Sequence, residues 1–195
     1  MLPAREVGGD FYDFFPLDGT HQAFLVADVS GKGITGALYM MTAKTLIKDT
    51  LISLCEPAAT FNKVNKELCA NNPANMFLTA WLGVLDLDSG VVSYANAGHN
   101  PPLLVKSHKG SVSFLTEKSG PMLAFLDTIR YKTHSLTLSP GDSLFLYTDG
   151  VTEALNTNET LFGESRLAET LSTVPEPEPK LLCPVTRAAV AAFAD

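Results

Sequence analysis

The sequence predicts an α+β fold in which helices cover antiparallel β-sheets. Short segments of strand-like alternation, separated by tight turns, fill most of the middle of the chain. Two long segments with apolar residues at helical spacing precede most of these strands, and two further helical segments follow them. Strands grouped in this way, without regular alternation with helices, favour antiparallel sheets with helices on their faces.

Length and composition fit one ordinary domain with its own hydrophobic core. The chain has 195 residues, of which 46% are hydrophobic and 18% are charged. Its net charge of −7, without any basic run, argues against nucleic acid as the main partner. No apolar run reaches membrane-spanning length and the first residues do not form a signal peptide, so we expect a cytoplasmic protein without membrane insertion.

The cysteines point to neither a disulfide framework nor a redox site. They are Cys55, Cys69 and Cys183, an odd number at unrelated spacings and without a CxxC pair. Cys55 and Cys69 lie in helical stretches, where we expect buried thiols.

The first two predicted strands form a hairpin whose open end carries two aspartates. One strand starts directly after Asp10, and the turn at residues 18–20 reverses the chain. The second strand, residues 21–27, is strongly apolar in its second half and leads into Asp28. Asp10 and Asp28 are therefore expected at the same end of one antiparallel pair.

The remaining elements follow from periodicity and turn residues. Helices are predicted over residues 34–54, 57–71, 164–171 and 181–193, the last preceded by a Pro/Glu linker at 174–179. Strands are predicted over residues 77–86, 91–95, 103–105, 111–115, 130–138 and 144–149, with turns at 88–90, 108–110 and 140–142.

A third aspartate repeats the setting of Asp28. Asp149 follows a buried strand and precedes a glycine, as Asp28 does. Two carboxylates about 4 Å apart repel by roughly 4 kcal/mol at a surface-like dielectric. If Asp10, Asp28 and Asp149 converged without a cation, their carboxylates would therefore separate or become protonated. A divalent cation removes this conflict, and an oxygen-only ligand set favours magnesium or manganese over zinc. Taken alone, Asp28 is more simply explained as the N-cap of the next helix.

Five motifs in this order resemble those of the metal-dependent protein phosphatases of the type 2C (PPM) superfamily, in particular the bacterial branch named for SpoIIE and RsbU. The resemblance extends from Val7 to about Leu167. The motifs are VGGDFYDFF at residues 7–15, VADVSGKG at 26–33, NAGHNPP at 96–102, PGDSLFLYTDGVTEA at 140–154 and FGESRL at 162–167.

The resemblance implies an αββα sandwich, with two packed antiparallel sheets between helices and two manganese or magnesium ions at one edge. Asp10 and Asp28 match the family's first two metal carboxylates, and Asp28 would bridge the ions. The backbone carbonyl of Val29 matches a further metal contact, and Asp149 matches the next carboxylate. These aspartates would act through a metal-bound water that attacks the phosphorus of a phosphoserine or phosphothreonine, which requires no protein nucleophile.

The chain departs from the family pattern at its end. A complete domain has a further strand after the last helix, with another metal-binding aspartate, whereas this chain stops at Asp195. We therefore expect a single phosphatase-like domain over residues 1–195, a C-terminal effector fragment truncated before its last strand, or else a degenerate phosphatase.

The function predicted on this basis is a magnesium- or manganese-dependent serine/threonine phosphoprotein phosphatase. Its expected substrate is an anti-sigma-factor antagonist in bacterial signalling, and a sensor or receiver domain is expected upstream. A dimer is compatible with the sequence. The first alternative is a metal-poor regulatory module that binds a partner without hydrolysis. The second is a nucleotidyl cyclase-like enzyme, which also uses paired aspartates but needs a base pocket and basic phosphate ligands that the sequence lacks.

Three further residues have two explanations each. His99 would contact phosphate or act as a general acid, or it fixes a bulged strand, which we favour. Lys32 would attract phosphate, or it is an ordinary loop lysine because a P-loop motif is absent. Glu153 would accept a hydrogen bond from a metal-bound water, or it caps a local turn.

Overall fold

The structure is a computed structural model that describes residues 8–31, 33–107, 111–175 and 177–195. The chain divides into two compact units. Unit 1 comprises Met1–His99 and Glu117–Thr137, and unit 2 comprises Asn100–Thr116 and Leu138–Asp195. The single domain expected over residues 1–195 stays a prediction.

The described residues form eight strands and five helices. The strands are β1 (Phe11–Pro16), β2 (His21–Val29), β3 (Leu78–Asp86), β4 (Val91–Ala97), β5 (Leu103–Val105), β6 (Val112–Phe114), β7 (His134–Thr137) and β8 (Ser143–Phe145). The helices are α1 (Ile34–Leu54), α2 (Pro57–Ala70), α3 (Asp149–Thr152), α4 (Gly163–Ser172) and α5 (Pro179–Ala194). Among the described residues, no helix combines the length and the apolar character needed to cross a membrane.

Unit 1 is built on a five-stranded antiparallel sheet in the order β1-β2-β3-β4-β7. Alternate residues of β2, from Ala23 to Val29, are buried in a core that also contains apolar residues of α1 and α2. The inward faces of the helices have helical spacing, with Ile47 and Leu51 on α1 and Phe61 on α2 fully buried. The helices thus cover one face of the sheet, the face of the odd-numbered β2 residues.

Unit 2 contains a three-stranded antiparallel sheet in the order β6-β5-β8, with α4 and α5 packed together. Its core includes buried residues of β5, β8 and α4, such as Leu103, Phe145 and Leu167. The observed elements confirm the predicted α+β class with antiparallel sheets and helices.

Two predicted strands extend well beyond the observed ones at one end. The strand expected over residues 130–138 begins only at His134, because Asn62 on α2 hydrogen-bonds the main chain of Tyr131 and holds it away from the sheet. The strand expected to run to Asp149 ends at Phe145, and Asp149 begins α3 instead. The turn predicted at residues 108–110 lies outside the described residues.

The expectation of buried thiols is wrong for Cys55, which is exposed, and Cys69 is only half-buried. Cys55 lies at the C-terminal end of α1, where its backbone adopts a left-handed conformation with φ 53°. A residue in this position ends the helix and turns its side chain away from the apolar face, which the helical pattern alone did not reveal.

Candidate metal centre

Asp10 and Asp28 lie side by side at the open end of the β1–β2 hairpin. The register pairs Phe11 with Ala27, and one further step places Asp10 opposite Asp28. Side chains at directly opposed positions project from the same face, with Cβ atoms about 4.5–5.5 Å apart. Both residues are half-buried. The structure thus confirms that the two acids share one end of an antiparallel pair.

The main chain at Gly9 approaches the carbonyl group of Val29. A Cβ atom built on Gly9 would lie 2.8 Å from the Val29 oxygen and 3.3 Å from the Val29 Cβ. A glycine is therefore required before Asp10, because any side chain would displace either the first strand or the end of the second. This contact places the Val29 carbonyl, the third predicted oxygen ligand, next to the segment that carries Asp10.

The row of polar side chains that begins with Asp10 and Asp28 continues onto β3, and we call it the polar row. Thr79 is paired with Asp28 in the register, so its side chain projects from the same face. The Thr79 hydroxyl lies 2.9 Å from Nδ1 of His99, which is only 2% exposed. Asn96 fixes this histidine: its Oδ1 accepts from the His99 N–H at 2.8 Å, and its Nδ2 donates to the His99 carbonyl at 3.1 Å.

These contacts support the structural role that we favoured for His99, which fastens the segment after β4 to β3. Sequence reasoning missed Thr79 and the clamping role of Asn96. The position of Thr79 becomes visible only from the β2–β3 register. For Asn96, the one available signal was its presence in the NAGHNPP motif.

The loop after Asp28 is held by backbone pairing and by glycines. Ser30 donates its N–H to the Phe77 carbonyl at 2.8 Å and accepts the Phe77 N–H on its Oγ at 2.8 Å. The N-cap of α1 is Gly33, with φ 78° and without a side-chain capping bond. The alternative explanation of Asp28 as the N-cap of this helix is therefore wrong. A cavity of about 260 Å³ adjoins the loop, lined by Ser30, Gly31, Thr35, Gly36, Ala74, Asn75 and Met76.

Asp149 lies in unit 2, in the first turn of α3. Its backbone carbonyl accepts the N–H of Glu153 at 2.7 Å and the hydroxyl of Thr152 at 3.2 Å. Glu153 is the C-cap of α3, which supports its role in capping a local turn. Burial, followed by the nearby charge of Glu164, raises the pKa of Tyr147.

The donor set at the β1–β2 end suits a hard divalent cation. It comprises two neighbouring carboxylates and one backbone carbonyl, all oxygen ligands of the kind that magnesium and manganese take. Across the described parts of the chain there is no group of three or more His, Cys, Asp or Glu side chains arranged to hold a metal ion. The roles of Asp10, Asp28, Val29 and Asp149 in binding metal stay predictions, and Lys32 lies outside the described residues.

The family model for stage II sporulation protein E (SpoIIE) matches residues 18–195. The chain belongs to the SpoIIE family. A curated relative is the phosphoserine phosphatase RsbU of Bacillus subtilis, 33% identical over 161 residues that cover 80% of this chain and 46% of RsbU. The chain spans less than half the length of each of the first curated relatives it matches, with shares of 31%, 46% and 37%.

Solved structures share the fold of this SpoIIE-family chain. The PP2C domain of SiaA from Pseudomonas aeruginosa superposes with a TM-score of 0.82 at 24% identity, covering 98% of this chain and 75% of that one. The crystal structure of RsbX in complex with magnesium superposes with a TM-score of 0.68 at 17% identity, covering 97% of this chain and 82% of that one. At these identities the likeness shows the type 2C phosphatase fold.

Proposed function

We propose that the chain is the catalytic region of a divalent-metal-dependent protein phosphatase that acts on phosphoserine or phosphothreonine. The observation that carries the proposal is the juxtaposition of Asp10 and Asp28 beside the Val29 carbonyl. Membership of the SpoIIE family and similarity to a phosphoserine phosphatase, RsbU, support this choice of reaction.

Magnesium or manganese is the proposed cofactor, with two ions in a complete domain. Asp10, Asp28 and the Val29 carbonyl would hold the cation in unit 1, and Asp149 would supply a further carboxylate. When bound, the cation would activate a water molecule towards phosphorus and offset the charge of the phosphoryl group. The magnesium complex of RsbX, which has the same fold, supports the choice of ion.

The residues of the chain would position the metal-binding oxygen atoms, and none of them would act as a nucleophile. The β1–β2 pairing would hold the backbones of Asp10 and Asp28 side by side before any ligand arrives. Thr79 and the clamped His99 secure the neighbouring end of β3, which supports Asp28 within β2, and Asp10 directly precedes β1. Gly9 permits the close approach that brings the Val29 carbonyl to the same place.

For the substrate we propose a phosphorylated anti-sigma-factor antagonist, with a sensor or receiver domain upstream that controls the phosphatase. The similarity to RsbU, together with the bacterial family, supports this assignment.

The test is release of inorganic phosphate from a phosphoserine protein in the presence of manganese. We expect activity that EDTA abolishes and that Asp28→Asn lowers to background. Asp88→Asn is the matched control, because Asp88 is an exposed turn residue and its substitution removes the same charge elsewhere on the chain. Turnover that survives EDTA or Asp28→Asn would refute the proposal.

The second candidate is a metal-poor module that binds a partner without hydrolysis. The observation in its favour is the lack, within the described residues, of a group of three or more potential metal-ligating side chains. Binding of the phosphoprotein with unchanged phosphate content, at any manganese concentration, would favour this candidate.

A further inference from the structure

A shallow, open cavity with three exposed basic residues around it lies between α2 and the segment before β7, both in unit 1. Its volume is about 410 Å³. It is lined by Ala59, Asn62, Lys63, Lys66 and Arg130. The four α2 residues are spaced i, i+3, i+4 and i+7, so they form one stripe along the helix. Ala59 is small, which leaves room for the cavity at one end of the stripe.

Asn62 holds the opposite wall of the cavity in place. Its Oδ1 accepts the Tyr131 N–H at 2.9 Å, and its Nδ2 donates to the Tyr131 carbonyl at 3.5 Å. The Tyr131 ring packs edge-on against Phe61, with ring centroids 5.7 Å apart. Arg130, the residue before this anchor, is thereby positioned beside the lysines of α2.

The guanidinium of Arg130 is itself restrained. Its Nη1 donates to the backbone carbonyls of Ile129 at 2.9 Å, Thr128 at 3.2 Å and Asp127 at 3.4 Å. These bonds use one nitrogen, whereas a guanidinium has five N–H donors on three nitrogens. The remaining N–H donors of Arg130 therefore belong to a side chain that is already held in place beside the cavity.

The cavity is positively charged, whereas the chain as a whole is negatively charged. The whole protein carries a net charge of −7, yet three cations line this one cavity. Lys63 has a weak partner in Glu67 at 4.0 Å. In the described ranges, the ion pairs within 4.0 Å involve neither Lys66 nor Arg130. Within those ranges, two positive charges of the cavity therefore remain without an acidic partner.

Folding gains little from this arrangement of exposed side chains. Lys63 and Lys66 are like charges three residues apart on one helix face, which destabilises a helix. Lys66 makes no hydrogen bond or ion pair in the described structure that would offset this repulsion. A ligand with two negative charges would match the two cations that have no acidic partner.

We propose that this cavity binds a dianionic phosphoryl group, either inorganic phosphate or the phosphoryl group of a phosphorylated protein. Arg130 would bind two oxygens through its planar fork, and Lys66 would contribute a point charge from α2. The site shares no residue with the candidate metal centre, and it stands on the cavity, its charges and its anchors rather than on the proposed phosphatase activity.

The test is residue-resolved NMR on the full chain in EDTA, so that neither metal binding nor turnover contributes. Sodium phosphate and a phosphoserine peptide are titrated separately at constant ionic strength set with sodium chloride. We expect saturable shifts at the amides of residues 59–66 and 130–131. Tighter binding of the peptide would assign the site to phosphoproteins, and equal or tighter binding of inorganic phosphate would assign it to the free ion.

Charge-reversal variants test which side chains bind the phosphoryl group. Lys66→Glu should weaken binding at least about tenfold, and adding Arg130→Glu should remove saturable binding. Lys118→Glu is the matched control, an exposed lysine outside the cavity whose reversal should leave affinity within about twofold. Arg130 also bonds the preceding turn, and its substitution can therefore prevent folding. If the double variant does not fold, the affinity of Lys66→Glu is the deciding result. Equal shifts with chloride, shifts elsewhere, or unchanged affinity in Lys66→Glu would overturn the proposal.

Discussion

The contact between Gly9 and Val29 gives a test of the site that changes no carboxylate. In Gly9→Ala the new methyl group would lie 2.8 Å from the Val29 oxygen, whereas ordinary contact begins near 3.4 Å. One of the two chain segments must therefore move by about 0.6 Å, the difference between these distances. The atoms that must move are backbone atoms, which cannot rotate out of the way as a long side chain would.

The expected cost has two parts. Overpacking of this kind destabilises proteins by about 1–3 kcal/mol, which for a chain of this size lowers Tm by roughly 2–12 °C. Magnesium demands oxygen ligands near 2.0–2.1 Å, so a carbonyl displaced by about 0.6 Å is a poor ligand. We expect the affinity for divalent metal to fall at least about tenfold, which corresponds to about 1.4 kcal/mol.

The assays are thermal unfolding without metal and calorimetric titration with manganese. Gly19→Ala is the matched control: Gly19 lies in the β1–β2 turn, and a Cβ atom there would meet nothing within 4 Å. Its stability should stay within about 0.5 kcal/mol of the parent, with unchanged metal affinity. If Gly9→Ala binds manganese as tightly as Gly19→Ala does, the Val29 carbonyl is not a ligand and the reasoning fails.

Two further predictions concern stability. Asn65 is fully buried and bonds the Ala124 N–H at 2.8 Å and the Leu126 carbonyl at 2.7 Å, so Asn65→Ala should lose roughly 2–4 kcal/mol in urea unfolding. The exposed Asn71→Ala serves as control, and equal losses in both would contradict the assignment. Burial alone would raise the pKa of Asp142, but hydrogen bonds from Lys106, Ser139 and Ser107 outweigh it and hold the pKa below its ordinary value. This stabilisation is present above about pH 4 and is lost as the pH falls through the lowered pKa, so the deficit of Asp142→Asn should shrink between pH 7 and pH 3. A deficit independent of pH would count against this account.

The open end of the β1–β2 hairpin was predictable because local rules agree there. A turn signal, two apolar runs, an acid before the first run and an acid after the second defined both the pairing and the position of Asp10 and Asp28. The bounds of α1 were predictable for the same reason, since glycines precede it and its apolar spacing runs unbroken to Leu54.

Features set by long-range contacts were not predictable. The late start of β7 depends on Asn62, which lies 69 residues before Tyr131 in the chain and bonds its main chain. Thr79 belongs to the polar row only because the β2–β3 register opposes it to Asp28. A single sequence contains no signal for either contact, because neither side chain differs in type from ordinary surface residues.

The α3 turn at Asp149 illustrates a second limit. The apolar run before Asp149 suggests a continuous strand, yet the pairing of β8 with β5 ends at Phe145, and the chain then turns into a four-residue helix. Helices this short have little periodicity, so hydrophobic pattern cannot distinguish them from the end of a strand.

The central claim is that the paired carboxylates of Asp10 and Asp28 hold a divalent cation. Its most direct measurement is a calorimetric titration of manganese into the parent chain, Asp10→Asn, Asp28→Asn and the control Asp18→Asn, whose carboxylate lies at the opposite end of the hairpin. We predict saturable binding to the parent and the control, and loss of at least about tenfold in affinity in each of the other two variants. Equal affinity in all four chains would contradict the claim.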